Sequence, residues 1–174
     1  MVKVYIDVIT GDEMVSDAYP TKEIFDGAGL EVQARYITKG QEDGGIAMNL
    51  GEDEEKGPDT NTGLPAGETV IDIVDRFDLK ETKYDQKSFQ AYAKLYLNKI
   101  KKHLQEKGKA DRIPGFQKGS LEMVKMILKN FDDFQFFTGS SMDDEAALAF
   151  CTYPEGKTEP IFYFFLDGLE GKQY

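Results

Sequence analysis

The chain has 174 residues, 40% of them hydrophobic, 12% aromatic and 30% charged. That is the size of one domain able to bury roughly 70% of the surface its unfolded chain exposes. The net charge of −11 excludes general nucleic-acid binding and a surface adapted to anionic lipid, although a local basic patch is compatible with it. One cysteine, Cys151, and one histidine, His103, exclude an internal disulfide framework and a zinc site of four Cys or His ligands. The lone thiol fits a reducing, cytoplasmic setting. No apolar run approaches the ~20 residues of a membrane span, and the first residues read as a strand, not a signal peptide.

Residues 2–8 alternate, with Val2, Val4, Ile6 and Val8 on one face and Lys3, Tyr5 and Asp7 on the other. Period two predicts a half-buried strand. A turn follows at Gly11-Asp12-Glu13-Met14, and Leu30, Val32, Ala34 and Tyr36 predict a further strand. From about 38 to 69 the pattern vanishes into Gly, Pro, Asp and Glu. Such a composition cannot offset its ordering entropy, so a long flexible acidic loop is expected there. Thr69–Phe77 predicts another strand, with Ile71, Ile73 and Phe77 on one face.

The period then changes. Phe89, Tyr92, Ala93, Tyr96, Leu97, Ile100 and Leu104 form one helical stripe. Asp85 suits its N-cap and Gly108 its stop. A second stripe runs through Ile113, Phe116, Val124, Ile127, Leu128 and Phe131, with Pro114 in the first turn. The short link between them predicts an antiparallel helical hairpin over about 85–131. The remainder returns to strands at 134–137, 147–153 and 161–166, the last apolar enough for a central position. Strands, a hairpin and strands again make an α+β layout in a single domain, 1–174.

Few features suggest catalysis. There is no P-loop and no glycine-rich dinucleotide turn after a strand. His103 lies beside Lys101 and Lys102 and reads as a surface residue without the partner a general base needs. Cys151 sits in an apolar strand with no cationic neighbour and reads as a buried, inert thiol. Asp59-Thr60-Asn61-Thr62-Gly63 opens like an EF-hand loop, but Gly63 and Val70 stand where oxygen ligands belong. Loose calcium binding stays open at the acidic loop, at Asp12 with Glu13, and at Asp143, Asp144 and Glu145. For each the alternative is a solvated charge cluster. The strongest local signal is basic. Lys87, Lys94, Lys99, Lys101, Lys102, Lys107 and Lys109 crowd the first helix and its exit, with Glu106 the one acid between Lys87 and Lys109. This face is either an ordinary lysine-rich surface or a dock for an acidic partner.

The opening Tyr5–Asp17 segment, Val70–Val74, Asn130–Gly139 and Asp167-Gly168-Leu169-Glu170 together resemble the translationally controlled tumour protein (TCTP) family, nearly end to end outside the loop. The resemblance implies a β-rich, tent-like core with a projecting helical hairpin and a long flexible loop. That core is similar to a zinc-bearing Rab-binding chaperone family and to methionine sulfoxide reductases. The cysteines those chemistries require are missing here, so their activities do not transfer.

It also implies a non-enzymatic, multifunctional cytoplasmic interaction protein that supports cell growth and survival. The implied partners are tubulin and microtubules, a Rheb-like small GTPase, elongation factor and Bcl-family proteins. Calcium binding is implied too, with no tightly bound cofactor. Lys87, Lys94, Lys101 and Lys102 fall on the family's tubulin-binding region. Glu13, beside Asp12, falls on its GTPase-contact position. The alternative activity is therefore regulation or chaperoning of such a GTPase.

This chain departs from the family at several places. Ile46-Ala47-Met48-Asn49 replaces the usual first signature, residues 38–69 lack serine, Gly139 precedes Ser140 where a glutamate is usual, and Tyr174 stands where some relatives carry a dimerising cysteine.

Overall fold

The computed structural model describes residues 2–38, 69–156 and 158–173. The expected loop, the EF-hand-like segment and the first family signature lie almost wholly outside these residues. The loop's two ends are inside, and Thr38 pairs with Thr69.

Three antiparallel sheets are present among the described residues. β1 (Lys3–Asp7) is flanked by β2 (Glu13–Ser16) and by the last strand, β11 (Leu169–Gln173). The largest sheet has six strands. It contains β3 (Thr21–Ile24), β4 (Gly29–Gln33), β10 (Ile161–Phe165), β9 (Leu148–Thr152), β8 (Phe134–Thr138) and β7 (Lys80–Thr82), in that spatial order. β5 (Tyr36–Thr38) and β6 (Thr69–Ile71) pair separately. A short helix α1 (Asp72–Phe77) follows β6, and two long helices, α2 (Gln86–Glu106) and α3 (Ile113–Lys129), form the hairpin.

The hairpin forms where the periodicity places it. Asp85 accepts the Ser88 amide at 2.7 Å while the Ser88 hydroxyl accepts the Asp85 amide, a reciprocal cap that fixes the start of α2. Gly108 adopts φ +73 just past its end. The inward stripe lies across the large sheet. Phe89 meets Phe136 of β8 and Phe150 of β9, and Tyr96 meets Phe165 of β10. These rings pack tilted or edge-on, the arrangement aromatic quadrupoles favour. The opposite face of that sheet, with Phe137, Cys151, Phe162 and Phe164, is buried as well. As expected, the segment 161–166 supplies a central strand.

Three local expectations fail for identifiable reasons. Residues 72–77 are helical, not extended. The Asp72 carboxylate takes the Ile73 and Arg35 amides, and Asp78 stops the helix in a left-handed conformation. Ile73 and Phe77, four apart, share a face in a helix too, so a run this short did not discriminate. The strand through Leu30–Tyr36 breaks after Gln33, because Ala34 bonds the Pro160 carbonyl and Arg35 bonds Asp72. Asp7, expected outward, is 2% exposed. Its carboxylate is taken up inside by the Ile9 and Ala147 amides and the Thr10 hydroxyl, partners that strand alternation does not reveal.

Candidate functional site

On α2 the buried positions are Phe89, Tyr92, Ala93, Tyr96, Ile100 and Leu104. Lys87, Lys94 and Lys101 are spaced by seven, nearly two helical turns, and so fall in one line away from that face. The line is about 21 Å long at 1.5 Å per residue. Lys87 and Lys94 are exposed, as is Lys102 on the adjoining flank. Lys101 is half-buried. It lines a groove between the helices with Leu97, Phe116 and Leu121. None of these four lysines has an ion pair among the described residues. Lys99 differs, lying 3.2 Å from the Glu145 carbonyl and 3.9 Å from its carboxylate.

The charge is segregated. Residues 85–131 hold eleven Lys and Arg against four Asp and Glu, a charge of +7, so the rest of the chain carries −18 of the total −11. A cationic hairpin in an otherwise anionic chain offers an electrostatic face that steers acidic partners more than it strengthens their binding.

Asp12 and Glu13, the second candidate pair, behave differently from each other. Asp12 accepts the Ser141 hydroxyl at 2.6 Å and the Ser141 amide at 3.1 Å, joining the β1–β2 turn to the loop after β8. Glu13 opens β2, is exposed, and has no hydrogen bond or ion pair of its carboxylate among the described residues. The turn rests on Asp7, a residue that alternation alone placed on the wrong face. Asp7 accepts the Ile9 and Ala147 amides and the Thr10 hydroxyl, and the Thr10 hydroxyl accepts the Asp12 amide. Burial pushes the Asp7 carboxyl above its ordinary range, against those donors.

The calcium candidates do not converge. Asp143 accepts the Glu145 amide, Glu145 faces Lys99, and the Asp144 carbonyl accepts the Tyr84 hydroxyl. Among the described residues no three His, Cys, Asp or Glu side chains gather as a metal-binding group.

Sequence reasoning missed one cleft. At the hairpin turn a cavity of about 470 Å³ opens between the end of α2 and the start of β11, lined by His103, Lys107, Lys109, Arg112, Asp167 and Glu170 among others. His103 is half-buried here. Arg112 grips Asp167 through two bonds, of 2.9 and 3.1 Å, which ties the turn to the body. The two residues are 55 apart in sequence, so no local signal marks the pair. Cys151 is fully buried, its thiol pushed up to about 12 by desolvation, as expected of an inert packing residue.

An antiparallel, β-rich α+β body with a basic helical hairpin across one sheet face is the class these features define. The family model described as "Translationally controlled tumour protein" matches residues 2–170. The chain is 38% identical to the translationally-controlled tumor protein homolog of Theileria annulata, over 99% of both chains. It is 39% identical to that of Schizosaccharomyces pombe, over 98% of both. A solved structure from Schizosaccharomyces pombe, a translationally controlled tumor-associated protein, superposes with a TM-score of 0.79 at 38% identity over the whole of both chains. The translationally-controlled tumor protein of Caenorhabditis elegans, at 24% identity and a TM-score of 0.67, shares the fold over 100% of this chain and 99% of its own. The chain belongs to the translationally controlled tumour protein family. No helix among the described residues is long and apolar enough to cross a membrane.

Proposed function

We propose that this protein is a non-enzymatic, cytoplasmic interaction protein that docks acidic protein surfaces through the outer face of its helical hairpin. Tubulin and microtubules are the partners the family implies, in support of cell growth and survival. The observation that carries this reading is the line Lys87, Lys94 and Lys101, unpaired among the described residues, on a hairpin of charge +7 in a chain whose remaining sequence carries −18. Co-sedimentation with microtubules at rising ionic strength tests it. Pelleting should weaken as salt shortens the screening length to about 10 Å at 0.1 M. Pelleting that ignores salt would count against an electrostatic dock.

A second reading, contact with a Rheb-like small GTPase, is favoured by one feature. Asp12 is held by Ser141, while Glu13 beside it stands exposed without a partner among the described residues. Glu13→Val should alter nucleotide release from such a GTPase without unfolding this chain. Identical release traces with and without the protein would remove this role. Calcium at Asp143, Asp144 and Glu145 would be weak, because two of the three carboxylates already face other groups and a calcium shell needs six to eight oxygens. Titration calorimetry showing no heat at millimolar calcium would end it.

A further inference from the structure

The loop after β8 reads Gly139-Ser140-Ser141-Met142-Asp143-Asp144-Glu145. Two exposed serines precede three consecutive acids, and Ser141 has acids two, three and four residues downstream. Kinases that select acidic substrates read this pattern, since a basic substrate groove pairs with carboxylates placed C-terminal to the acceptor hydroxyl. We propose that Ser141 is a phosphorylation site for an acid-directed serine/threonine kinase, and that its modification unlatches the loop from Asp12 beside the exposed Glu13.

The chemistry is ordinary phosphoryl transfer. The Ser141 Oγ attacks the γ-phosphorus of a nucleoside triphosphate, forming an O–P bond. The bond from that phosphorus to the β–γ bridging oxygen breaks. The hydroxyl proton passes to the kinase's base, and the nucleoside diphosphate leaves.

The structural consequence follows from where Ser141 sits. Its Oγ donates to the Asp12 carboxylate at 2.6 Å and its amide donates to the same oxygen at 3.1 Å. Gly139 allows this approach, because a Cβ there would strike the Asp12 side chain. A phosphoserine loses the donating hydroxyl and brings a charge of about −1.5 to −2 against a carboxylate. Among the described residues no lysine or arginine bonds Asp12 or Ser141, and the nearest chain neighbours on the C-terminal side are Met142 and further acids. The new charge is therefore repelled, not captured. The loop parts from the β1–β2 turn, while Asp7, which holds that turn from within, remains bonded to Ala147. Among the described residues Ser140 has no side-chain hydrogen bond to Asp12, and it serves as the internal control.

The full chain is incubated with a purified acid-directed kinase and ATP, and the site is mapped by fragmentation mass spectrometry. One phosphoryl group should appear on Ser141. It should persist in Ser140→Ala, vanish in Ser141→Ala, and fall in the Asp143→Asn/Asp144→Asn double variant. On the modified wild-type chain, amide exchange of the 8–13 turn and of Ser141 should quicken by about tenfold, the scale of losing one charge-assisted hydrogen bond. Asp12→Asn should blunt that difference, since the repelling charge is gone. No incorporation, or incorporation confined to Ser140, overturns the site. Phosphorylated Ser141 with unchanged exchange overturns the unlatching.

Discussion

The hydroxyl of Tyr96 lies against Gly168, buried and without a hydrogen-bond partner among the described residues. Tyr92, one helical turn earlier, stacks on Tyr96 but donates its hydroxyl to the Ala146 carbonyl at 2.6 Å. The hairpin thus touches the body through two tyrosines of opposite character. One polar atom is satisfied and one is not.

The contrast predicts opposite outcomes for the same deletion. Tyr92→Phe removes a buried hydrogen bond and strands a carbonyl, costing about 1–2 kcal/mol. Tyr96→Phe removes a desolvated hydroxyl that has no partner and should be neutral or stabilising by about 1 kcal/mol. Gly168→Ala should destabilise by about 1–3 kcal/mol through overpacking. Adding Tyr96→Phe should recover part of that, because the hydroxyl is the atom the new Cβ meets first. Urea titrations of the singles and the double form a cycle that checks the coupling.

Arg112 and Asp167 hold the hairpin turn. Arg112→Ala leaves a nearly buried carboxylate without its fork and should cost about 2–3 kcal/mol. Arg112→Lys keeps the charge but cannot reproduce two parallel bonds, so it should recover only part of the loss. Thermal unfolding reads this as a fall of about 2–4 °C per kcal/mol for a chain of this size.

Asp7 gives the fold a signed pH dependence. Its carboxyl is raised in the folded state by burial, so the unfolded chain ionises first. The resulting stability is complete below the ordinary value of 3.8 and is lost as pH rises through the raised folded value. In Asp7→Asn this contribution disappears, and the amide turns a donor toward amides that also donate. The variant should be less stable at every pH. Its deficit against the wild type should be largest below 3.8 and shrink as pH climbs past the raised value. Chemical denaturation of both chains across that window measures it.

Cys151 should be inert in the folded protein. Its thiol is buried and pushed up to about 12, so the thiolate that reacts is nearly absent at neutral pH. Labelling with a disulfide reagent should proceed only at the rate of opening and accelerate in denaturant. Rapid native labelling would reopen a redox role.

The hairpin was legible because it is long and periodic, and because Asp85 and Gly108 mark its ends with local chemistry. Four strands of the large sheet, β4, β8, β9 and β10, were legible from alternation or apolar runs, whereas β3 and β7 are short and mostly polar and carry no such signal. The order of those strands was not, since β10 pairs with its chain neighbour β9 on one side but with the distant β4 on the other. Helix α1 escaped because six residues carry too little periodicity and its decisive contact, Asp72 with Arg35, is non-local. Of the candidate site, Lys87, Lys94 and Lys102 are exposed on α2, as a lysine-rich face requires. Lys101 sinks into the groove, and Lys99 turns to Glu145. The Asp12–Ser141 latch spans 129 positions and no pattern in either segment announces it.

The docking role proposed for the lysine-rich face of α2 has one direct test. Reversing the exposed Lys87, Lys94 and Lys102 to Glu should leave folding nearly unchanged, because such surface replacements move stability by about 0.5 kcal/mol or less each, whereas the half-buried Lys101 is left in place. Microtubule affinity at low salt, measured beside a control reversal of the exposed Lys22 in β3, is the direct measurement. The triple variant should lose at least about tenfold while the Lys22 control binds as the wild type does. Equal binding by the triple variant and the wild type would contradict the account.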